Sequence, residues 1–122
     1  MTPTARTLAW LRAQGATADV VERRIPHSFV TKDLFGFLDI VALEPGKAGV
    51  LGVQTTSNSN MAARVKKING EPRSALWRAC GNRIQVVGWA KRGPRGRRKV
   101  WTASVTDVGE DRHGAMADAR PV

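Results

Sequence analysis

The chain has 122 residues, 42% of them hydrophobic and 25% charged, which suits one globular domain with a single core and is short for two. Twenty Lys and Arg face ten Asp and Glu, giving a net charge of +10, a field that attracts phosphate polymers and anionic surfaces but says nothing about fold. No apolar run approaches the roughly 20 residues that span a bilayer, and the opening MTPTARTLAW lacks the basic and apolar regions of a signal peptide, so a cytoplasmic protein is expected.

Residues 2–15 read as a helix, with Thr2 as N-cap, Pro3 at the first helical position and Gly15 as the stop. Ala5, Leu8 and Leu11 share one face of it. Residues 19–25, DVVERRI, read as a strand ended by Pro26, followed by a polar connection from His27 to Leu34. Strands are expected at 36–43 (GFLDIVAL) and 49–56 (GVLGVQTT), separated by the turn Glu44-Pro45-Gly46. A helix over 57–68, capped by Ser57 or Ser59, puts Met61, Val65 and Ile68 toward the core. Glu71 and Pro72 open a short helix that carries Leu76 and Trp77 and closes at Gly81. Residues 83–90 and 99–107 form a hairpin. The tail from Gly109 has no apolar period and is expected to be disordered, leaving 1–108 as one domain. The short connection within 36–56 predicts antiparallel neighbours there, and the 57–82 crossover predicts a parallel return of the fourth strand.

Cys80 is the only cysteine, which excludes an internal disulfide and a zinc site built from cysteines. Neither His27 nor His113 stands in a cysteine-protease context, so Cys80 reads as a small buried hydrophobe.

The hairpin tip, KRGPRGRRK at 91–99, holds Lys91, Arg92, Arg95, Arg97, Arg98 and Lys99 and no acid. It carries six of the ten units of excess positive charge. Gly93, Pro94 and Gly96 keep it from packing, which suits phosphate contact or groove insertion. The plainer alternative is a solvated loop that aids solubility.

Asp39 sits among apolar strand residues, where a carboxylate is costly to bury without a partner or metal. Gln54 and Thr56 share a face of the next strand, and pairing of the two strands brings Asp39 and Gln54 within reach of one ion. The backbone carbonyl of Thr55 offers a further oxygen, and hard cations such as Mg²⁺ take such ligands. The plainer reading of QTTS is a polar strand end leading into a helix cap.

These residues resemble the PD-(D/E)xK nucleases, in which one strand ends in Asp and the next bears Glu or Gln, any residue, then Lys. The resemblance covers about residues 2–90 and looks closest to archaeal Holliday junction resolvases; GVQTTSNSN with ARVKKI is also similar to uncharacterised phage nuclease-like proteins. It implies an α+β protein with a restriction-endonuclease-like α-β-β-β-α-β core, a mixed sheet and an added C-terminal hairpin strand. It implies Asp39 and Gln54 as ligands of Mg²⁺ or Mn²⁺, joined by Thr55, and Thr56 at the position of the lysine. A threonine cannot supply the charge that the lysine gives the phosphorane transition state. Lys66, Lys67, Lys32 and Lys91 are the candidates for a migrated lysine, with Lys66 and Lys67 otherwise a solvated helix face. Glu22 or Asp33 is a candidate second carboxylate, since residues 2–15 contain no acid. The implied chemistry is metal-assisted phosphodiester hydrolysis on double-stranded or branched DNA, by a homodimer. Lys32, Arg64, Lys67 and the six basic residues of 91–99 are the expected DNA contacts.

Trp10, Trp77, Trp89 and Trp101 stand in a chain without Tyr. Trp89 and Trp101 are expected to pair across the hairpin, with base stacking as the alternative. Two further readings stay open: a nuclease scaffold that binds nucleic acid without cutting it, and a basic protein that docks on an acidic partner.

Overall fold

The computed structural model describes residues 1–109 and, as backbone, 119–121. Helix α1 (Pro3–Ala13) is followed by strands β1 (Thr17–Val20), β2 (Arg23–Arg24), β3 (Thr31–Lys32), β4 (Ile40–Leu43) and β5 (Leu51–Ser57). A 3₁₀ turn (Asn58–Asn60) leads into α2 (Met61–Asn69) and α3 (Pro72–Ala79). Strands β6 (Arg83–Arg92), β7 (Val100–Asp107) and β8 (Ala119–Pro121) complete the order. The protein is α+β, with a mixed sheet ordered β1-β4-β5-β6-β7-β8 and a separate β2–β3 hairpin. Pairing is antiparallel for β4–β5, parallel for β5–β6 and antiparallel for β6–β7, as the connections predict, and β1 pairs antiparallel with β4. No helix among the described residues is long and apolar enough to cross a membrane.

Three layers form because alternate strand residues face opposite sides. On one side Leu11 of α1 packs with Ile40, Ala42, Leu51, Val53, Val87, Trp89 and Val105. On the other, Met61 and Ile68 of α2 pack with Phe37, Leu38, Ile84 and Val86, joined by Trp77 of α3. Two glycines permit this second contact. A Cβ at Gly52 would run into Leu38 and Trp77, and one at Gly88 into Met61.

Several boundaries differ from the sequence reading. The expected strand 19–25 breaks after Val20, because the N–H groups of Val21 and Glu22 both turn to the carbonyl of Asp39, at 2.8 and 3.3 Å. The chain then makes the β2–β3 hairpin, where a polar connection was expected. Only the second half of 36–43 is strand. Residues 34–38 fold into a tight turn with left-handed φ at Phe35 and Gly36, which buries Phe37 and Leu38 completely. The expected helix 57–68 starts as a 3₁₀ turn, and Ser57 makes no capping bond. Ala5 is exposed; Thr7 is buried on α1 beside Leu11. Cys80 is exposed, not buried. The expected disordered tail falls, for 110–118 and 122, outside the described residues, while Ala119–Pro121 pairs with β7.

The tryptophans also rearrange. Trp89 pairs with Ala103 and Trp101 with Lys91, so the two rings are not opposite each other. Trp89 is buried edge-on against Trp10, and the exposed Trp101 carries the Arg6 guanidinium 3.9 Å from its ring centroid.

Thr7 ties α1 to the sheet. Its hydroxyl accepts the indole N–H of Trp89 at 2.8 Å and hydrogen-bonds the Thr55 hydroxyl at 2.7 Å. Thr7→Val keeps the shape and leaves both partners buried without a bond. It is expected to lower the unfolding free energy by about 1–3 kcal/mol in urea titrations; an unchanged midpoint would show that the network adds no stability.

Candidate metal centre

Asp39 sits where three segments meet. Its N–H donates to the Val53 carbonyl at 2.9 Å, and its carbonyl takes the two N–H groups at the end of β1. The backbone is thus fixed from both sides, and the residue is 4% exposed. Carboxylate Oδ2 accepts the Thr55 N–H at 2.8 Å and the Gln54 amide Nε2 at 3.2 Å. The same Nε2 donates to Asp33 Oδ2 at 3.2 Å. Glu22, from the bend after β1, and Asp33, from the loop after β3, complete a cluster in which one carboxylate oxygen of each residue lies within 4.8 Å of the others.

This geometry is electrostatically unsatisfied. Burial, reinforced by the neighbouring Asp33 through a hydrogen bond and through its charge, pushes the Asp39 carboxyl up to about 8. The Thr55 N–H and the Gln54 amide pull the other way and are outweighed. Lys67 reaches Asp33 Oδ2 only at 3.5 Å, from a half-exposed position. Gln54 is completely buried, and its Oε1 has no hydrogen-bond partner among the described residues. With Nε2 already between two carboxylates, a half-turn of the amide brings Oε1 to the cluster in its place. The N–H and C=O of a strand residue leave the same edge, so the Thr55 carbonyl lies on the Asp39 side of β5. Three carboxylates, one amide oxygen and one carbonyl make an all-oxygen donor set, and Glu22, Asp33 and Asp39 can hold a metal ion.

The structure brings Asp39, Gln54 and the Thr55 backbone together. It also brings in both Glu22 and Asp33, which the sequence offered as alternatives for one place. Thr56 is buried on the Gln54 side of β5 and makes no bond to the carboxylates. Of the candidate lysines, Lys67 alone pairs with the cluster; Lys66, Lys32 and Lys91 are exposed and form no ion pair among the described residues. Arg64 is half-buried on α2. Thr7, which holds the Thr55 hydroxyl on the far face of β5, had no signal beyond a threonine in an amphipathic helix.

The basic tip leaves the sheet at the same end. Gln54 is level with Val86, and β6 continues six residues further to Arg92. At about 3.3 Å per residue the tip begins roughly 20 Å beyond the carboxylates. All of 91–99 is exposed, and none of its six cations pairs with a carboxylate among the described residues.

No protein-family model matches this sequence, and the curated proteins and solved structures give no match.

The raised Asp39 value sets the sign of a pH dependence. Between the ordinary carboxylate value and about 8, the folded chain holds a proton that the unfolded chain has released. The contribution of Asp39 to stability is therefore complete at acid pH and falls as pH rises toward 8, by at most about 1.4 kcal/mol per unit. In chelator, the urea midpoint of the wild type is expected to fall from about pH 5.5 to about pH 8 relative to Asp39→Asn, whose neutral amide keeps an acceptor for the Thr55 N–H. Parallel pH profiles for the two proteins would contradict a buried, protonated Asp39.

Proposed function

We propose that this chain is a metal-dependent DNA endonuclease of the PD-(D/E)xK kind. The observation that carries the reading is the convergence of Glu22, Asp33 and Asp39, with Asp33 and Asp39 both bonded to the buried Gln54 amide, at the sheet end from which the basic β6–β7 tip projects. The order α1, β1, β4, β5, α2, β6, with its antiparallel, antiparallel and parallel pairings, supports a restriction-endonuclease-like core.

Asp39, Asp33 and Glu22, with Gln54 Oε1 and the Thr55 carbonyl, are the residues that would hold Mg²⁺ or Mn²⁺. Such an ion, when bound, polarises a phosphate and makes water a better nucleophile at neutral pH. The chain's own residues do the rest. Asp39 would hold such an ion as the carboxylate, releasing the proton that burial otherwise favours. Lys67, beside Asp33, supplies the positive charge that Thr56 cannot, and faces the phosphate as negative charge builds on its oxygens. The cations of 91–99 hold the flanking duplex by its phosphates.

One observation favours a second reading, a nuclease scaffold that binds DNA without cutting it: Thr56 stands at the lysine position, and Lys67 approaches the cluster only loosely.

The test is incubation with linear, single-stranded and four-way-junction DNA in Mg²⁺, Mn²⁺ or EDTA. Cleavage that requires metal and disappears in Asp39→Ala is expected. Lys67→Ala is expected to slow cleavage by about a hundredfold or more while leaving DNA affinity largely intact. Binding without cleavage in every metal would leave the second reading standing. Separately, replacing Arg95, Arg97 and Arg98 by Ala is expected to flatten the dependence of log affinity on log salt by about 0.9 for each phosphate that the tip no longer neutralises. An unchanged slope would remove the tip from the DNA interface.

A further inference from the structure

Among the described residues, the β2–β3 hairpin is the one element that leaves the three layers and returns at the site. It departs just after Glu22 and comes back just before Asp33, so two of the three clustered carboxylates are its end posts. Its legs are short: Arg23 pairs with Lys32 and Arg24 with Thr31, and all four are exposed. The tip is nevertheless ordered by its own bonds. The Ile25 N–H donates to the Val30 carbonyl at 2.9 Å, the Val30 N–H to Ser28 Oγ at 2.9 Å, and Arg24 Nε to the Ser28 carbonyl at 3.1 Å. His27 takes a left-handed φ of 60° to close the turn.

At this tip stands Phe29, 96% exposed, the barest of the large hydrophobic residues described. Its ring touches no other aromatic group among the described residues; its neighbour is the Arg24 guanidinium, 5.6 Å from the ring centroid. An aromatic ring held in water carries an unfavourable hydration free energy that only a partner relieves. The surrounding charge indicates which partner. Residues 23–32 contain Arg23, Arg24 and Lys32 and no acid, so the charges nearest the ring attract phosphate, while the Glu22 and Asp33 carboxylates lie at the base of the hairpin. An apolar face presented among cations, with a guanidinium beside it, is the arrangement that stacks a nucleobase while its phosphates are neutralised.

We propose that Phe29 stacks on an unpaired DNA base beside the metal centre, so that the preferred substrate carries a strand discontinuity, such as a fork, bulge or branch, within a few nucleotides of the scissile phosphate. This rests on the DNA-cleaving or DNA-binding reading above and narrows it. The distances agree with a short reach. Roughly three residues of leg at about 3.3 Å each put the tip on the order of 10 Å from the carboxylates. That is about three nucleotides of stacked strand. The basic β6–β7 tip reaches about twice as far and suits the continuous duplex, so the two projections divide the substrate between them.

The exposure of Phe29 makes it safe to change. DNA binding is measured in EDTA, so that affinity is read without cleavage, on an intact duplex and on the same duplex with a fork or bulge bearing 2-aminopurine at the unpaired position. The wild type is expected to bind the discontinuous DNA about tenfold or more tightly and to quench the 2-aminopurine fluorescence. Phe29→Ala is expected to lose both the preference and the quenching while its affinity for the intact duplex stays at the wild-type level; Phe29→Trp is expected to keep both. If wild type and Phe29→Ala bind DNA alike on both substrates, the stacking role is wrong and the DNA reading survives. If the wild type binds neither DNA, the DNA reading itself fails and takes this role with it.

Discussion

A carboxylate buried without a full opposite charge governs this molecule. Asp39 is held by a backbone N–H and a side-chain amide, both neutral donors, with Asp33 beside it. Neither donor balances a negative charge in a place that water barely reaches, so the group takes up a proton or needs a cation. Its backbone cannot move to escape, because its N–H belongs to β5 and its carbonyl ends β1. The frame withstands this because both sheet faces around it are filled: Ile40 and Val53 on the α1 side, Phe37, Leu38 and Ile68 on the α2 side. A rigid frame that imposes an unfavourable charge is a common property of functional sites, where stability is given up for chemistry.

The charge distribution follows the same logic on a larger scale. A chain of net charge +10 gathers three of its ten acids at one point. Alone, that point repels phosphate. On the reading proposed above, a divalent ion there would invert the local sign and let a phosphate approach, and the wider positive field would draw in the polymer. The two basic projections serve that field differently. The β6–β7 tip is long, glycine-bearing and bare of aromatic residues; the β2–β3 hairpin is short, closed by its own hydrogen bonds and tipped with Phe29.

Much of the fold was legible from periodicity. Met61, Val65 and Ile68 marked the inner face of α2, and Thr2 with Pro3 marked the start of α1, with Thr2 Oγ1 accepting the Ala5 N–H. Asp39 and Gln54 were legible because a polar group in an apolar strand requires a reason. What was not legible is tertiary. DVVERRI reads as one strand because nothing local breaks it; the carbonyl of Asp39, distant in sequence, captures two of its N–H groups and turns it. GFLDIVAL reads as one strand because Phe37 and Leu38 are as apolar as Ile40, yet they fill the core from a turn. That same bend at Val21 brings Glu22 in, and the hairpin return brings Asp33, so both carboxylates joined the site through long-range geometry that no spacing rule encodes. Ala5, expected on the inner face of α1, is exposed, and Thr7, for which the sequence set no expectation, is buried because its hydroxyl has two partners on the sheet.

The most direct measurement is a crystal structure of the protein grown with Mn²⁺, read by the anomalous signal of the metal. If the three carboxylates form a cation site, one strong peak lies at ligand distance from Asp39 and from at least one of Asp33 and Glu22, with the Gln54 amide turned so that Oε1 faces the ion. A cluster free of Mn²⁺ at millimolar metal and about pH 8, with Gln54 Nε2 still bonded to both aspartates, would contradict it and reduce the cluster to a proton-sharing feature of the fold.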